Sequence, residues 1–122
     1  MRISLVIDCS DPDRLVPFWE AAMNYQLAQS LDGYRILLPA SGEPVGPVLI
    51  LQPVPEPKVG KNRVHIDVHP ADAPAHIAAL ERLGGRQLGE RVEAFGFWWQ
   101  TMTDPEGNEF CVVADALAPG EE

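Results

Sequence analysis

The segment RVHIDVH, residues 63–69, carries two imidazoles and a carboxylate at alternate positions. His65, Asp67 and His69 alternate with valine and isoleucine, which is the two-residue period of a β-strand. One face of that strand therefore collects groups that can act as a general acid or base. Such a face either meets bulk water or lines a pocket in which these groups contact a ligand.

Further candidate ligand-binding residues lie near the C-terminus. Trp98 and Trp99 are adjacent in FGFWWQTM, so a strand would point one into the core and one toward a ligand, and the sequence does not fix which. In EFCVVAD, alternation places Glu109 and Cys111 on one face. A nucleophilic Cys111 needs a base within reach, and His65 is the candidate. The alternative is a cysteine that serves as a small buried apolar residue.

Composition excludes some classes of partner. The chain has 122 residues, enough for a single domain, and a net charge of -9 with a pI of about 4.6. This charge argues against binding to nucleic acid or to anionic membranes. The two cysteines show no zinc-binding or disulfide spacing, and no signal peptide or apolar span is evident. We therefore expect a reduced, cytoplasmic protein.

The first half of the chain predicts one strand, one helix and three more strands. Residues 2–9 alternate, and a helix capped by Ser10 or Asp11 follows. Pro17 is awkward inside a helix, so we expect a loose first turn at 11–14 and a regular helix from near Pro17. Asp32-Gly33 is a hairpin turn signal. Residues 48–54 form an apolar strand, and 55–61 a connector.

The second half repeats this order. The strand at 63–69 precedes a helix capped by Asp72, with an apolar stripe and a Gly84-Gly85 stop. That stripe consists of Ile77, Leu80 and Leu83. Two strands, a turn at 104–108 and a last strand follow, and the tail, ALAPGEE, is expected to fray.

An offset of 61 residues aligns the two halves. It superposes Asp11 on Asp72, Glu20 on Glu81, and Gln26-Leu27 on Gln87-Leu88. We therefore predict an α+β fold of two tandem βαβββ modules, about 2–54 and 62–114, within a single domain. The same offset places Ser4, Val6 and Asp8 on His65, Asp67 and His69. If the two sheets curl toward each other, these faces line a shared cleft. Asp8 and Asp67 are then either cleft carboxylates or hydrogen-bond anchors for loops.

This organisation resembles the vicinal oxygen chelate superfamily, which includes glyoxalase I, bleomycin-resistance proteins and extradiol dioxygenases. The resemblance covers about residues 2–114 and is carried by DPDRLVPFW, NRVHIDV and DPEGNEFCVV. The last two motifs look most like the actinobacterial type of glyoxalase-like domain. The resemblance implies a curved mixed sheet around a cleft and a homodimer, but it leaves the activity open because the superfamily hosts many chemistries.

In metal-using relatives, the first and last strands of the two modules supply four ligands. His65 matches one of these positions. Ser4 occupies the corresponding place in the first module, Gln52 or Leu51 falls where a Glu is usual, and Cys111 falls where the final Glu is expected. A hard divalent cation prefers carboxylates and imidazoles, so the residues at these positions disfavour a resident metal. Glu109 is the remaining candidate that could join His65 around one.

Three functions remain after this comparison. The first is a metal-independent lyase, isomerase or hydratase that binds a small organic molecule in the cleft and uses His65 as general base. The second is a non-catalytic protein that sequesters a drug-like compound, as bleomycin-resistance proteins do. The third, disfavoured by Ser4 and Cys111, is a metal-dependent glyoxalase or dioxygenase. The candidate ligand-binding residues are Ser4, Asp8, Gln52, Asp67, Trp98, Trp99, Glu109 and Cys111.

Overall fold

A computed structural model describes residues 1–115 of the chain. In that range two compact units follow one another, and the division between them falls between Val59 and Gly60. Each unit consists of one helix and one mixed sheet. No helix within residues 1–115 is long and apolar enough to cross a membrane.

The first unit contains a four-stranded sheet in the order β1-β4-β3-β2, in which β1 runs parallel to β4 and the other neighbours are antiparallel. Its elements are β1 (Ser4–Cys9), α1 (Pro12–Met23), β2 (Tyr25–Leu31), β3 (Tyr34–Pro39) and β4 (Val48–Pro53). The predicted turn at Asp32-Gly33 joins β2 to β3, with both residues at positive φ.

Helix α1 begins earlier than expected and runs without interruption through Pro17. The expected loose turn at 11–14 is therefore wrong. Asp11 is the N-cap and Pro12 the first helical residue, where a missing backbone N–H costs nothing. Pro17 has no backbone N–H, so it cannot donate the helical hydrogen bond to the carbonyl of Asp13. Pro17 is on the exposed side of the helix, where water can donate to that carbonyl instead.

One face of the first sheet packs beneath α1. The sheet contributes Cys9, Leu37, Leu49 and Leu51, all buried, and α1 covers them with an apolar stripe. That stripe consists of Leu15, Phe18, Trp19 and Ala22. Ser4, Val6 and Asp8 alternate with the buried face and are exposed, as the strand pattern predicts. Ile3 precedes β1 and is also exposed, so it does not join the core.

The second unit contains a five-stranded sheet in which β5, β9, β8 and β6 follow one another and β7 also pairs with β8. Its elements are β5 (Asp67–Val68), α2 (Ala73–Arg82), β6 (Arg86–Gln87), β7 (Val92–Ala94), β8 (Phe97–Thr103) and β9 (Glu109–Ala114). Strands β6 and β7 pair with opposite ends of β8, so they act as one interrupted strand. The second unit thus keeps the order of the first.

The strand predicted over 63–69 is much shorter in the structure. Only Asp67 and Val68 pair with β9, and the preceding residues form a bend. Val64 therefore lies outside the sheet with 84% of its surface exposed, and the expectation that it packs beneath a helix is wrong. The alternation itself persists, because Val68 is buried while His65, Asp67 and His69 are exposed.

Helix α2 has the N-cap that the sequence predicts. The Asp72 side chain accepts a hydrogen bond of 3.0 Å from the backbone N–H of Ala75. Ile77 and Leu80 are buried, but Leu83 is exposed at the C-cap, so the predicted stripe is one residue too long. Gly84 follows at φ 99 and ends the helix.

The turn predicted at 104–108 is organised by the buried carboxylate of Asp104. One of its oxygens accepts from the backbone N–H groups of Glu106 and Asn108, and the other accepts from the Asn108 side chain. This turn fixes the start of β9 relative to the end of β8.

The strand ladders of the two units follow the 61-residue offset. Val6 pairs with Ile50 in parallel in the first unit, and Asp67 pairs with Cys111 in parallel in the second. Each residue of the second pair lies 61 positions after its counterpart. The predicted α+β fold with two tandem modules is confirmed. The tail expected to fray, 116–122, lies outside the described residues.

Candidate functional site

The face of the second sheet that points away from its buried core gathers three chemically active side chains. The backbone N–H of Cys111 donates to the carbonyl of Ile66 over 2.9 Å, which locks β9 beside the segment that enters β5. His65 and Asp67 flank Ile66 and therefore share the face on which Cys111 lies. We call His65, Asp67 and Cys111 the β5–β9 cluster.

The members of the β5–β9 cluster are close enough to bind one small group. One ligand atom from each of the three residues lies within 4.8 Å of the others. His65 Nε2 is 3.2 Å from Asp67 Oδ1, and the two side chains are 43% and 50% exposed. A molecule in solution can therefore reach the imidazole and the carboxylate, which form a pair without being buried.

Cys111 is the buried member of the cluster, with 6% of its surface exposed. Burial raises the pKa of its thiol, and the negative charge of Asp67 raises that pKa further. A hydrogen-bond contact of 3.5 Å with Thr101 Oγ1 and the positive charge of Lys61 act in the opposite direction but do not reverse the shift. The thiol is therefore protonated at neutral pH, which disfavours the interpretation of Cys111 as an activated nucleophile.

The strand register decides between the two adjacent tryptophans. Trp99 pairs with Val113 on β9 and with Val92 on β7, and Thr101 pairs with Cys111. Because paired residues share a face, Trp99 lies on the same face as the β5–β9 cluster. Trp98 lies on the opposite face, where the Arg91 guanidinium stands 4.5 Å from the centre of its ring. Of the two candidates, Trp99 is the one that shares the face of the cluster, and it lies two residues along β8 from Thr101, the neighbour of Cys111.

Glu109 has a structural role instead of joining the cluster. Its carboxylate accepts a 2.9 Å hydrogen bond from the backbone N–H of Asn62, and its own carbonyl accepts from the Asn62 side chain. These bonds hold the segment that leads into His65 against the start of β9. Glu109 thus positions the loop that carries the imidazole.

Ser4, Asp8 and Gln52 belong to the first unit, on the face of its sheet that is turned away from α1. Ser4 pairs with Val48, and Asp8 pairs with Gln52. The register also shows that the counterpart of Cys111 in the first unit is Ile50, whereas Gln52 corresponds to Val113. The β5–β9 cluster is therefore built from the second unit alone.

His69 also pairs with a carboxylate, which the sequence did not reveal. Its Nδ1 lies 2.6 Å from Oδ1 of Asp115, just beyond the end of β9. The partners are 46 positions apart, so only the strand arrangement brings them together. This second histidine–aspartate pair contains no thiol and offers a natural control for the first.

The β5–β9 cluster is a poor match for a hard divalent cation of the kind that metal-using relatives of the superfamily bind. Such ions favour carboxylates and other oxygen ligands, with imidazole as an addition. Here one of the three ligand atoms is a protonated sulfur, and Glu109 is engaged with Asn62. The donor set therefore argues against a manganese or magnesium centre of the usual kind.

Comparison with known proteins agrees with this architecture. The family model of the glyoxalase-like domain matches residues 4–113. No curated protein matches the chain in sequence.

Solved structures share the fold at low sequence identity. The fosfomycin resistance protein FosX from Listeria monocytogenes, in complex with Mn(II) and sulfate, gives a TM-score of 0.77 at 15% identity, over 96% of this chain and 91% of that one. A glyoxalase/bleomycin resistance protein/dioxygenase family enzyme from Burkholderia phytofirmans gives a TM-score of 0.71 at 14% identity, over 91% of this chain and 95% of that one. Hypothetical protein SA1046 from S. aureus gives a TM-score of 0.70 at 15% identity, over 93% of each chain.

At these identities the likeness establishes the fold, and the family match establishes the membership. The chain belongs to the glyoxalase-like domain family of the vicinal oxygen chelate superfamily.

Proposed function

We propose that this protein binds a small organic molecule on the open face of the second sheet and that His65 acts there as a metal-independent general base. The observation that carries the proposal is the His65–Asp67 pair, 3.2 Å apart and half-exposed, beside Cys111 and on the same face as Trp99. The reaction class is that of a lyase, isomerase or hydratase, in which a proton is removed from carbon or water and later returned.

The proposed chemistry depends on the two nitrogens of one imidazole. Nε2 of His65 is next to the Asp67 carboxylate, so Nδ1 is the nitrogen that would take a proton from the substrate. The carboxylate would then stabilise the imidazolium that forms, as an aspartate does in other catalytic histidine pairs. The proton would return from Nδ1 to the product, so the enzyme ends the cycle unchanged.

The surroundings of the pair indicate what kind of molecule fits. Trp99 offers an aromatic surface and Thr101 a hydroxyl on the same face, while Val92 and Val113 flank the tryptophan. A ligand with a planar apolar part and a polar, proton-bearing part would contact both regions. A structural neighbour is named as a fosfomycin resistance protein, which is consistent with a small organic ligand for this fold.

The first experiment is a ligand screen followed by a turnover assay. Purified protein is screened by thermal shift against small carbonyl compounds that bear an acidic C–H bond. Saturating ligand should stabilise the protein by about 3–4 kcal/mol at 100–1,000 times the dissociation constant. Hits are then assayed for proton exchange and conversion, with His65→Gln as the test variant and His69→Gln as the matched control.

We expect His65→Gln to lower kcat by roughly 10²–10⁴-fold, the usual contribution of a general base, and His69→Gln to leave kcat unchanged. Both histidines contact an aspartate and both are exposed, so the comparison isolates position and not residue type. Turnover that survives His65→Gln undiminished would refute the catalytic role.

Sequestration of a drug-like compound is a second candidate, favoured by the exposed aromatic and aliphatic side chains beside Trp99. Phe97 and Val92 lie on the same face and are each more than one-third exposed. Under this function ligand binding is saturable, no product forms, and Trp99→Ala weakens binding far more than His65→Gln does. The same screen therefore separates the two functions.

A further inference from the structure

We infer that the β5–β9 cluster is a binding site for a thiophilic divalent cation such as Zn²⁺, and that this ion inhibits the protein instead of serving its chemistry. At this site the chain has a cysteine, Cys111, where metal-using relatives of the superfamily are expected to have a glutamate. Cation binding rests on the geometry of the cluster alone. The inhibitory effect also rests on the proposed function of His65.

The cluster supplies three different ligand types around one point. An imidazole nitrogen, a carboxylate oxygen and a thiol sulfur lie within 4.8 Å of one another. Zn²⁺ accepts all three types of ligand and is satisfied by three protein groups with water in a fourth position. Ligand atoms around Zn²⁺ stand about 2.0–2.3 Å from the ion, so a modest rotation of the exposed His65 and Asp67 side chains would close the site.

The backbone holds the ligands in place before any ion arrives. Cys111 and Asp67 are direct neighbours in the parallel ladder, and Cys111 is bonded through its N–H to the residue between His65 and Asp67. Sulfur lies at the buried floor, whereas the other two ligands lie at the exposed rim. An ion can therefore enter from solvent and meet the sulfur last.

The sulfur decides which ion is preferred. A thiolate is a soft ligand that selects Zn²⁺ or Cu(I) over Mg²⁺ and Mn²⁺. When the ion binds, the S–H bond of Cys111 breaks, the electron pair stays on sulfur to form the metal–sulfur bond, and the proton is released to solvent. The same event occupies a nitrogen of His65 and the Asp67 carboxylate, which removes the proposed base.

Co²⁺ is the probe for the experiment, because coordination by a thiolate produces a charge-transfer absorption band in the near ultraviolet. Titration of the purified full-length chain with CoCl₂ should produce this band. Addition of ZnCl₂ should abolish it by displacement, whereas excess MnCl₂ should not. Absence of the band in the wild-type protein would overturn the inference.

Matched variants assign the band to the cluster. Cys111→Ser should abolish it, and Cys9→Ser should retain it, because Cys9 is also a buried thiol but lies in the first unit. Asp67→Asn should weaken Co²⁺ binding roughly tenfold or more, since loss of a group that only hydrogen-bonds to a metal ligand already costs about that much. His69→Gln should leave binding unchanged. A band that survives Cys111→Ser, or that disappears in Cys9→Ser, would refute the assignment.

The exposed position of Asp67 protects the test against misfolding, since Asp67→Asn removes no buried side chain. Far-ultraviolet circular dichroism of each variant provides the check of folding. The absorption band needs no substrate, so failure of the proposed catalysis would leave this result standing. Conversely, a catalyst that Zn²⁺ does not inhibit, in a protein that shows the band, would refute only the inhibitory effect.

Discussion

Tyr25, at the start of β2, forms a hydrogen bond with the loop that leads into β4. Its hydroxyl donates a 2.8 Å hydrogen bond to the carbonyl of Pro47. Gly46 lies so close that a Cβ atom there would stand 2.7 Å from that hydroxyl oxygen. Burial raises the pKa of Tyr25 above its ordinary value of 10.0, because the folded protein favours the neutral phenol.

This pKa shift predicts how stability changes at alkaline pH. A group whose pKa is raised by folding contributes stability below the unfolded pKa and loses it as pH rises through the folded pKa. At pH 8 we expect Tyr25→Phe to be less stable than wild type by about 0.5–1.5 kcal/mol, the usual value of one hydrogen bond. This difference should shrink as pH rises above 10.

Urea denaturation of both proteins at pH 8 and pH 10.5 measures this difference. An ultraviolet titration supplies the control, since Tyr25→Phe should remove the component that ionises late. A stability difference that grows with pH would contradict the assignment.

At the scale of single residues, the sequence identified the chemically active side chains better than it predicted which of them lie close together. Strand alternation was enough to place His65 and Asp67 on one face. Cys111 joins them only through the pairing of β5 with β9, which links positions 44 apart and has no local signal. The choice of Trp99 over Trp98 likewise required the register between β8 and β9.

At the scale of elements, the two central hairpins use the same turn with different residues. Asp32 and Gly33 connect β2 to β3 at φ 47 and 87, and Phe95 and Gly96 connect β7 to β8 at φ 56 and 79. Positive φ at both central residues is the type I′ pattern, which favours Asn or Asp followed by Gly. A bulky residue in this conformation is strained. Phe95 is also 90% exposed, so it gains little from packing.

We therefore expect Phe95→Asn to stabilise the protein by about 1 kcal/mol, since backbone strain of this kind costs about 1–3 kcal/mol. Phe95→Ala removes the same ring without supplying a residue suited to positive φ, so its gain should be smaller. Thermal and urea denaturation of the three proteins measure the effect. Equal stability of the Asn and Ala variants would indicate that the turn is not under strain.

The errors in the predicted elements have local physical causes. A proline usually ends a helix, yet Pro17 lies on the exposed side of α1, where water can replace the backbone N–H that proline lacks. Alternation over 63–69 indicated a long strand. A strand needs a partner, however, and within this segment only Asp67 and Val68 pair with β9. Periodicity therefore predicted the faces of the paired residues, but not the strand boundaries, which leave Ile3 and Val64 exposed.

At the scale of the whole molecule, the duplicated order of elements was the strongest signal in the sequence. Four identities over some twenty positions at a 61-residue offset would be weak alone, but together with the repeated order of elements they indicate a duplication. The family match over residues 4–113 confirms the superfamily that this order suggested. The homodimer implied by the resemblance stays a prediction.

The dimer prediction can be tested through the charge of the chain. Two copies with a net charge of -9 each repel one another, and salt screens that repulsion over a Debye length of about 8 Å at physiological ionic strength. We therefore expect the dissociation constant of a homodimer to fall as NaCl rises. Sedimentation equilibrium should give twice the 13.4 kDa mass of one chain. A single-chain mass at every salt and protein concentration would contradict it.

The equal register of the two parallel strand pairs gives the first module a copy of the β5–β9 pairing without its chemically active side chains. The counterparts of the three cluster residues are Ser4, Val6 and Ile50, and Val6 already pairs with Ile50. A carboxylate at position 6 and a thiol at position 50 would stand in the register that Asp67 and Cys111 have, whereas an imidazole at position 4 would lie within β1, because Ser4 is part of that strand and His65 precedes β5. The first module thus offers a scaffold on which the paired part of the site could be rebuilt and tuned separately.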